Sequence, residues 1–280
     1  MPRKEEVSRH LAIIPVNMKT PILKLAFVFF AIVIAQQVFS QSKDMYEKHW
    51  YVSAEGDTLP YRLLIPKNYD SEKEYPLVVF LHGSGSRGTD NDSHLFHPWR
   101  MFVADSIRDK YPAFVLLPQC PSNVAWQNRA EADKKVSEFD VPKKDEPSRP
   151  LQLMNELVDK LISEKHVDTK RVYIMGLSMG GFGSFEAIER WADKYAAAVP
   201  ICGGASLVSA ASYCGKTAVW IFHGAEDDTV PVELSREIYK MLKEQECDVR
   251  YTEYPNVKHT SWHNAFAEPE LFQWLFSKQK

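Results

Sequence analysis

The sequence has 280 residues, of which 45% are hydrophobic, 25% charged and 12% aromatic. That is ordinary globular composition, with room for one large domain or two small ones, and it excludes a disordered, collagen-like or small disulfide-scaffold protein. A formal net charge of -3 leaves no basic excess for a polyanion, so nucleic acid is not an expected partner.

From the N-terminus, Lys19 and Lys24 lead into an eleven-residue apolar run, Leu25 to Ala35, followed by Gln36, Gln37 and Val38-Phe39-Ser40. A basic stretch, a short apolar run and small residues around a cut form the grammar of a secretory signal. At 1.5 Å per residue the run reaches about 16 Å, short of a hydrocarbon core of roughly 30 Å. The expectation is a signal peptide over residues 1–40 with its true start at Met18, a secreted or periplasmic protein, and no stable membrane span after cleavage. Removing those residues takes five Lys/Arg from 34 and two Asp/Glu from 37, leaving 29 against 35, or -6 for residues 41–280. That remainder is one domain in size.

Strand-like and helix-like segments alternate from His49 onward, which predicts an α/β fold with a mostly parallel central sheet flanked by helices. His49 to Ser53 and Tyr61 to Pro66, around Glu55-Gly56-Asp57, read as an opening antiparallel hairpin. Pro76 to Leu81, Ala113 to Leu117, Val172 to Met175, Ala197 to Val199 and Ala218 to Phe222 are short apolar runs, as strands buried on both faces require. Val249 to Tyr254 adds a further strand. Met154, Leu157, Val158, Leu161 and Ile162 recur at helical spacing behind a Ser148/Pro150 start signal, and Leu234, Ile238, Met241 and Leu242 do the same. From Glu131 to Pro150, eleven of twenty residues are charged and three are proline. This stretch cannot enter a core, so it is expected as a surface insertion, either a solvated loop or a cap over the site.

Chemistry concentrates in three places. Gly176-Leu-Ser-Met-Gly180 follows a strand directly and leads into a helix-forming stretch, so Ser178 sits where a sharp turn would present a nucleophile, with glycines where Cβ atoms would clash. A serine hydroxyl needs a base to take its proton and an acid to orient that base. Downstream, His223-Gly-Ala-Glu-Asp-Asp-Thr-Val-Pro231 closes a strand with an acidic turn that offers Glu226, Asp227 and Asp228. Val257-Lys-His-Thr-Ser-Trp-His263 then offers His259 and His263. His259 and His263 would share a helix face, but no Glu lies between them as a zinc HExxH site needs, and His94 and His97 give no better spacing. No metal or organic cofactor is implied.

With Leu81-His-Gly-Ser-Gly-Ser-Arg-Gly-Thr-Asp-Asn91, Leu117-Pro-Gln-Cys-Pro121 and Trp126, these motifs run in the order serine, acid, histidine over about 180 residues. The chain resembles the α/β-hydrolases. More narrowly, it is similar to secreted bacterial esterases related to polyhydroxybutyrate depolymerases, feruloyl esterases and the phospholipase/carboxylesterase group. The resemblance implies Ser178 as nucleophile, Asp227 as the acid of HGxxDxxVP and His259, before x-S-W, as base. It also implies the Ser84 N–H as one oxyanion donor, beside the Met179 N–H at the helix start, with His82 bracing the loop. The implied function is a serine carboxylic-ester hydrolase acting through an acyl-enzyme on a small-molecule or polysaccharide ester, such as an acetyl or feruloyl ester of a carbohydrate. A serine peptidase of the prolyl-oligopeptidase type and a non-catalytic carbohydrate-binding protein are the alternatives. Trp126, Phe182 and Trp262 are expected beside the scissile bond, where aromatic faces suit a phenolic acyl group or a sugar. Of Cys120, Cys202, Cys214 and Cys247, a bond between Cys202 and Cys214 would close a modest loop, but spacing cannot establish it.

Overall fold

A computed structural model describes residues 43–128, 145–207 and 211–280. The expected signal peptide and most of the charged insertion lie outside them. Ser42–Lys280 form one compact unit. Among the described residues no helix is long and apolar enough to cross a membrane.

Strands β1 (Tyr46–Val52) and β2 (Thr58–Leu64) form the antiparallel hairpin, paired from Tyr46↔Leu64 to Val52↔Thr58. They are followed by β3 (Tyr75–Leu81), β4 (Phe114–Pro118), β5 (Val167–Leu177), β6 (Ala197–Ile201), β7 (Ala218–Gly224) and β8 (Val249–Tyr254). The eight make one sheet in the order β1-β2-β4-β3-β5-β6-β7-β8. Only the β1–β2 and β2–β4 pairs are antiparallel. β3, β4, β6 and β7 are buried along their whole length, as continuous apolar runs demand. β8, on the edge, is only partly buried.

The helices are α1 (Trp99–Val103), α2 (Asp105–Lys110), α3 (Arg149–Glu164), α4 (Met179–Arg190), α5 (Glu233–Glu244), α6 (Trp262–Phe266) and α7 (Leu271–Ser277). Side chains alternate across a strand, so β3 sends Leu77, Val79 and Leu81 to one core and Val78 and Phe80 to the other. Leu157 of α3, Phe185 of α4 and Ile238 of α5 fill the first. Phe102 of α1 and Leu271 and Leu275 of α7 fill the second. The start signal before α3 works as read: the Ser148 hydroxyl accepts from the Leu151 amide at 3.3 Å, and Pro150 occupies the first turn.

The chain moves outward from β3 to β4 and then crosses back to β5 on the other side of β3. Such a reversal leaves a crevice at the carboxyl ends of β3 and β5, where open α/β sheets place their ligands.

Candidate active site

At that crevice Leu81 pairs with Gly176. β5 ends at Leu177, α4 begins at Met179, and Ser178 alone makes the turn with φ of 52° and ψ of -117°. Positive φ is costly for a residue with a Cβ and persists only where surrounding structure imposes it. Here the Ser178 amide is tied to the Ile201 carbonyl at 2.9 Å, and its carbonyl accepts from Phe182 at 3.1 Å. The flanking glycines allow backbones to touch: a Cβ on Gly176 would run into the Gly180 carbonyl, and one on Gly180 into that of Leu81.

The structure brings Ser178, His259 and Asp227 together. His259 Nε2 lies 2.9 Å from Ser178 Oγ, and Nδ1 lies 2.8 Å from Asp227 Oδ2. The acidic turn and the histidine loop meet at Gly224, where any Cβ would strike the Val257 and Lys258 carbonyls. Asp227 Oδ1 accepts from the Thr229 amide at 2.9 Å and the Val230 amide at 2.8 Å. Burial alone would raise its carboxyl, but hydrogen bonds from His223, His259 and the two amides hold it well below the usual carboxylate range. Of the competing acids, Asp228 bonds Lys258 at the surface instead, 3.0 Å from its Nζ, and Glu226 is exposed, with its amide on the Val257 carbonyl.

Ser84 opens a 3-10 turn over Ser84–Ser86, and Met179 opens α4, so both amides belong to first turns whose N–H groups point out of the helix end. The loop carrying Ser84 is braced from β4. Buried Gln119 donates to Asp90 Oδ1 at 2.7 Å and to the Ser86 carbonyl at 3.3 Å, and accepts from the Asn91 amide at 2.7 Å. Burial again opposes, but bonds from Ser93, Asp92 and Gln119 keep the Asp90 carboxyl far below its ordinary value. His82 lies within the same scaffold. Its Nδ1 donates to the Gly83 carbonyl at 2.7 Å, and its Nε2 accepts from the Cys120 amide at 2.9 Å. Burial pushes it down to about 4, so it stays neutral.

An open cleft of about 510 Å³ lies over Ser178 and His259, lined also by Ser84, Ser93, Phe96, His97 and Trp262. Trp262 lines the cleft, with its ring 5.5 Å from that of His259. Trp126 and Phe182 do not border the cleft. Trp126 is fully buried, donating to the His82 carbonyl at 3.1 Å and filling the space that Gly183 leaves open. Phe182 packs with Val230 and Leu234. An aromatic residue near a strand end reads alike in sequence whether it faces core or cleft. Phe96 and His97 were not expected at the site. Phe96 is 71% exposed, and His97 sits between it and Trp262 at ring distances of 4.8 and 5.1 Å. Burial, then the neighbouring His263, lowers the His97 pKa. The only signal available to the sequence was two aromatic rings next to one another just beyond the glycine-rich loop.

The cysteine pairing that spacing leaves open is settled by proximity, and it is not Cys202 with Cys214. Cys214 pairs with Cys247, their Cα atoms 5.1 Å apart, while Cys202 and Cys120 are free and buried. Among the described residues, one cluster has metal-ligand spacing: single ligand atoms of Cys202, Asp227 and His259 all lie within 4.8 Å. Burial pushes the Cys202 thiol up to about 12, while Asp227 and His259 are already bonded to one another and His259 to Ser178.

A family model described as phospholipase/carboxylesterase matches residues 68–272. The chain is 27% identical over 150 residues to the bifunctional acetylxylan esterase/xylanase XynS20E of Neocallimastix patriciarum, covering 48% of this chain and 22% of that protein. It is 23% identical over 236 residues to the acylamino-acid-releasing enzyme of Rattus norvegicus, covering 70% of this chain and 30% of that one. The chain thus spans under a third of the length of these curated relatives. A solved thermostable esterase is 35% identical with a TM-score of 0.76, over 85% of this chain and 64% of the other.

Proposed function

The chain belongs to the phospholipase/carboxylesterase family, and we propose that it is a serine carboxylic-ester hydrolase working through an acyl-enzyme. One observation carries the reading: the His259 imidazole bridges Ser178 Oγ and Asp227 Oδ2 at 2.9 and 2.8 Å, at the floor of an open cleft. Ser178 Oγ attacks the ester carbonyl while His259 Nε2 takes its proton. Asp227 holds Nδ1–H and stabilises the imidazolium. The N–H groups of Ser84 and Met179 receive the oxyanion. His259 then protonates the departing alcohol, and water, activated by the same nitrogen, releases the acid.

For the substrate we propose a small or carbohydrate-linked ester, acetyl or feruloyl. Likeness to an acetylxylan esterase supports this, as does a cleft combining Ser84 and Ser93 hydroxyls with the rings of Phe96, His97 and Trp262. Export to an oxidising compartment fits the signal-like N-terminus and the Cys214–Cys247 bond. The peptidase reading keeps one support, the likeness to an acylamino-acid-releasing enzyme. A fluorophosphonate probe followed by peptide mapping tests the nucleophile, and should mark Ser178 alone. Turnover of p-nitrophenyl acetate and acetylated xylan, against an N-acyl amino acid p-nitroanilide, tests the bond cleaved. Preference for the anilide would replace the ester reading with the peptidase one.

A further inference from the structure

We infer that His223 is a positioning residue for this reaction, sharing Asp227 Oδ2 with His259 and so setting how much of the carboxylate's charge the base receives. The inference rests on the serine-hydrolase reading above. His223 is in β7, one residue before its end, and its side chain is 0% exposed, as is that of Asp227. His223 Nε2 lies 3.1 Å from the Val230 carbonyl and 3.2 Å from Asp227 Oδ2. A carbonyl only accepts, so Nε2 carries the proton, and Nδ1 accepts from the buried Ser235 hydroxyl of α5 at 2.7 Å. Ser235 thereby fixes the tautomer that points N–H at the acid.

Asp227 consequently carries two backbone amides on Oδ1 and the His259 N–H on Oδ2, and the His223 N–H, which also faces the Val230 carbonyl, lies 3.2 Å from the same Oδ2. Both side chains are buried, so each neighbouring donor counts, because a carboxylate that loses one becomes more basic and freer to rotate. Removing the His223 donor would leave more negative charge for His259, hold its proton more tightly and move the acid limb of the rate profile to higher pH. The other groups facing this pair do not take over. The Cys202 thiol stays neutral, Glu253 on β8 is bound by Arg236 at 2.7 and 2.9 Å, and Asp228 is tied to Lys258.

Three variants test the role. His223→Phe keeps the ring and removes both nitrogens, His223→Gln retains an N–H donor, and Ser235→Ala frees the tautomer. The readouts are kcat and KM on p-nitrophenyl acetate against pH, and the titration of the His259 ring by NMR, which needs no turnover. His223→Phe should lower kcat about 10- to 100-fold with KM within about twofold, the scale of one lost hydrogen bond to a charged group. It should raise the His259 midpoint by at least about 0.5 pH unit. His223→Gln should restore most of both, and Ser235→Ala should fall between. A folded His223→Phe protein with unmoved kcat and unmoved His259 titration overturns the inference, as does a Gln variant equal to Phe. If the Phe variant does not fold, an unmoved midpoint in Ser235→Ala overturns it. Absence of Ser178-dependent turnover in the unaltered protein would overturn the hydrolase reading and this role with it. Normal turnover with an unmoved titration overturns this role alone.

Discussion

Ser178, Asp227 and His259 are each fixed by directed bonds, and the backbones that carry them touch at Gly176, Gly180 and Gly224, where a Cβ cannot fit. Across the cleft, Phe96 is mostly exposed, and ring contacts of about 5 Å join His97 to Phe96 and Trp262. The first wall tolerates few residue types at fixed spacings. The second asks only for an aromatic surface. Chemistry that needs angles has been built from directed bonds, and binding that needs area has been left to rings that can repack.

The sharpest break of this contrast is Ser178→Ala. It should leave the fold intact and lower turnover of an activated aryl ester by about three to six orders of magnitude. A folded variant retaining more than about a tenth of the rate would mean that the rigid wall is not the chemical one. Asp227→Asn comes next, at about 10⁴-fold in kcat, because the amide presents an N–H where His259 Nδ1–H needs an acceptor. Asp228→Asn, at the surface on Lys258, should change kcat by less than about threefold. Reversal of those two effects would move the acid one residue along.

Asp227 also gives the rigid wall a signature in pH. Its folded carboxyl titrates well below the unfolded value near 3.9, so the unfolded chain binds more protons. The stability it contributes is present at neutral pH and is lost as pH falls from about 4 through the lower folded value. Chemical denaturation at pH 6 and pH 3 should therefore show a smaller loss for Asp227→Asn than for the unaltered protein. An equal loss would mean that the donors around the carboxylate do not stabilise its charge.

The same contrast explains what could be read in the sequence. Gly-x-Ser-x-Gly and the order of strand, acidic turn and histidine loop are local patterns, so the opening hairpin and the parallel sheet could be anticipated from the strand-like runs between residues 49 and 254, and the meeting of Ser178, Asp227 and His259 from residues 176–263. Trp126 could not be placed, because its partner is the open space above Gly183 on a helix 57 residues later. Cys214 with Cys247 was equally hidden. The bond forms because β7 and β8 are neighbours in the sheet and the residues preceding their starts come side by side, which spacing alone does not state.

That disulfide lies at the end of the sheet away from the cleft, so it separates stability from chemistry. In the loop-entropy account, a bond spanning 33 residues stabilises by about 3–4 kcal/mol. Cys214→Ser with Cys247→Ser should unfold at lower denaturant by about that amount while keeping kcat per folded molecule. Loss of kcat in the folded variant would show that the cleft depends on the far end of the sheet.

The smallest expected effect belongs to the aromatic wall. Phe96 is 71% exposed at the rim, its ring 4.8 Å from His97, which in turn meets Trp262 beside His259. A large exposed apolar ring with no core to fill has value mainly to something that covers it. An aryl acetate small enough to sit over Ser178 should not reach it, whereas a feruloyl group or the next sugar of a polysaccharide should. Phe96→Ala should therefore leave kcat/KM on p-nitrophenyl acetate within about twofold. It should lower kcat/KM on a feruloylated or acetylated oligosaccharide by about three- to tenfold, the scale of one aromatic contact, and through KM. Equal effects on both esters would show that the ring does not select substrate. A loss confined to kcat would place it with the rigid wall, and the division of the cleft into a chemical side and a binding side would fail.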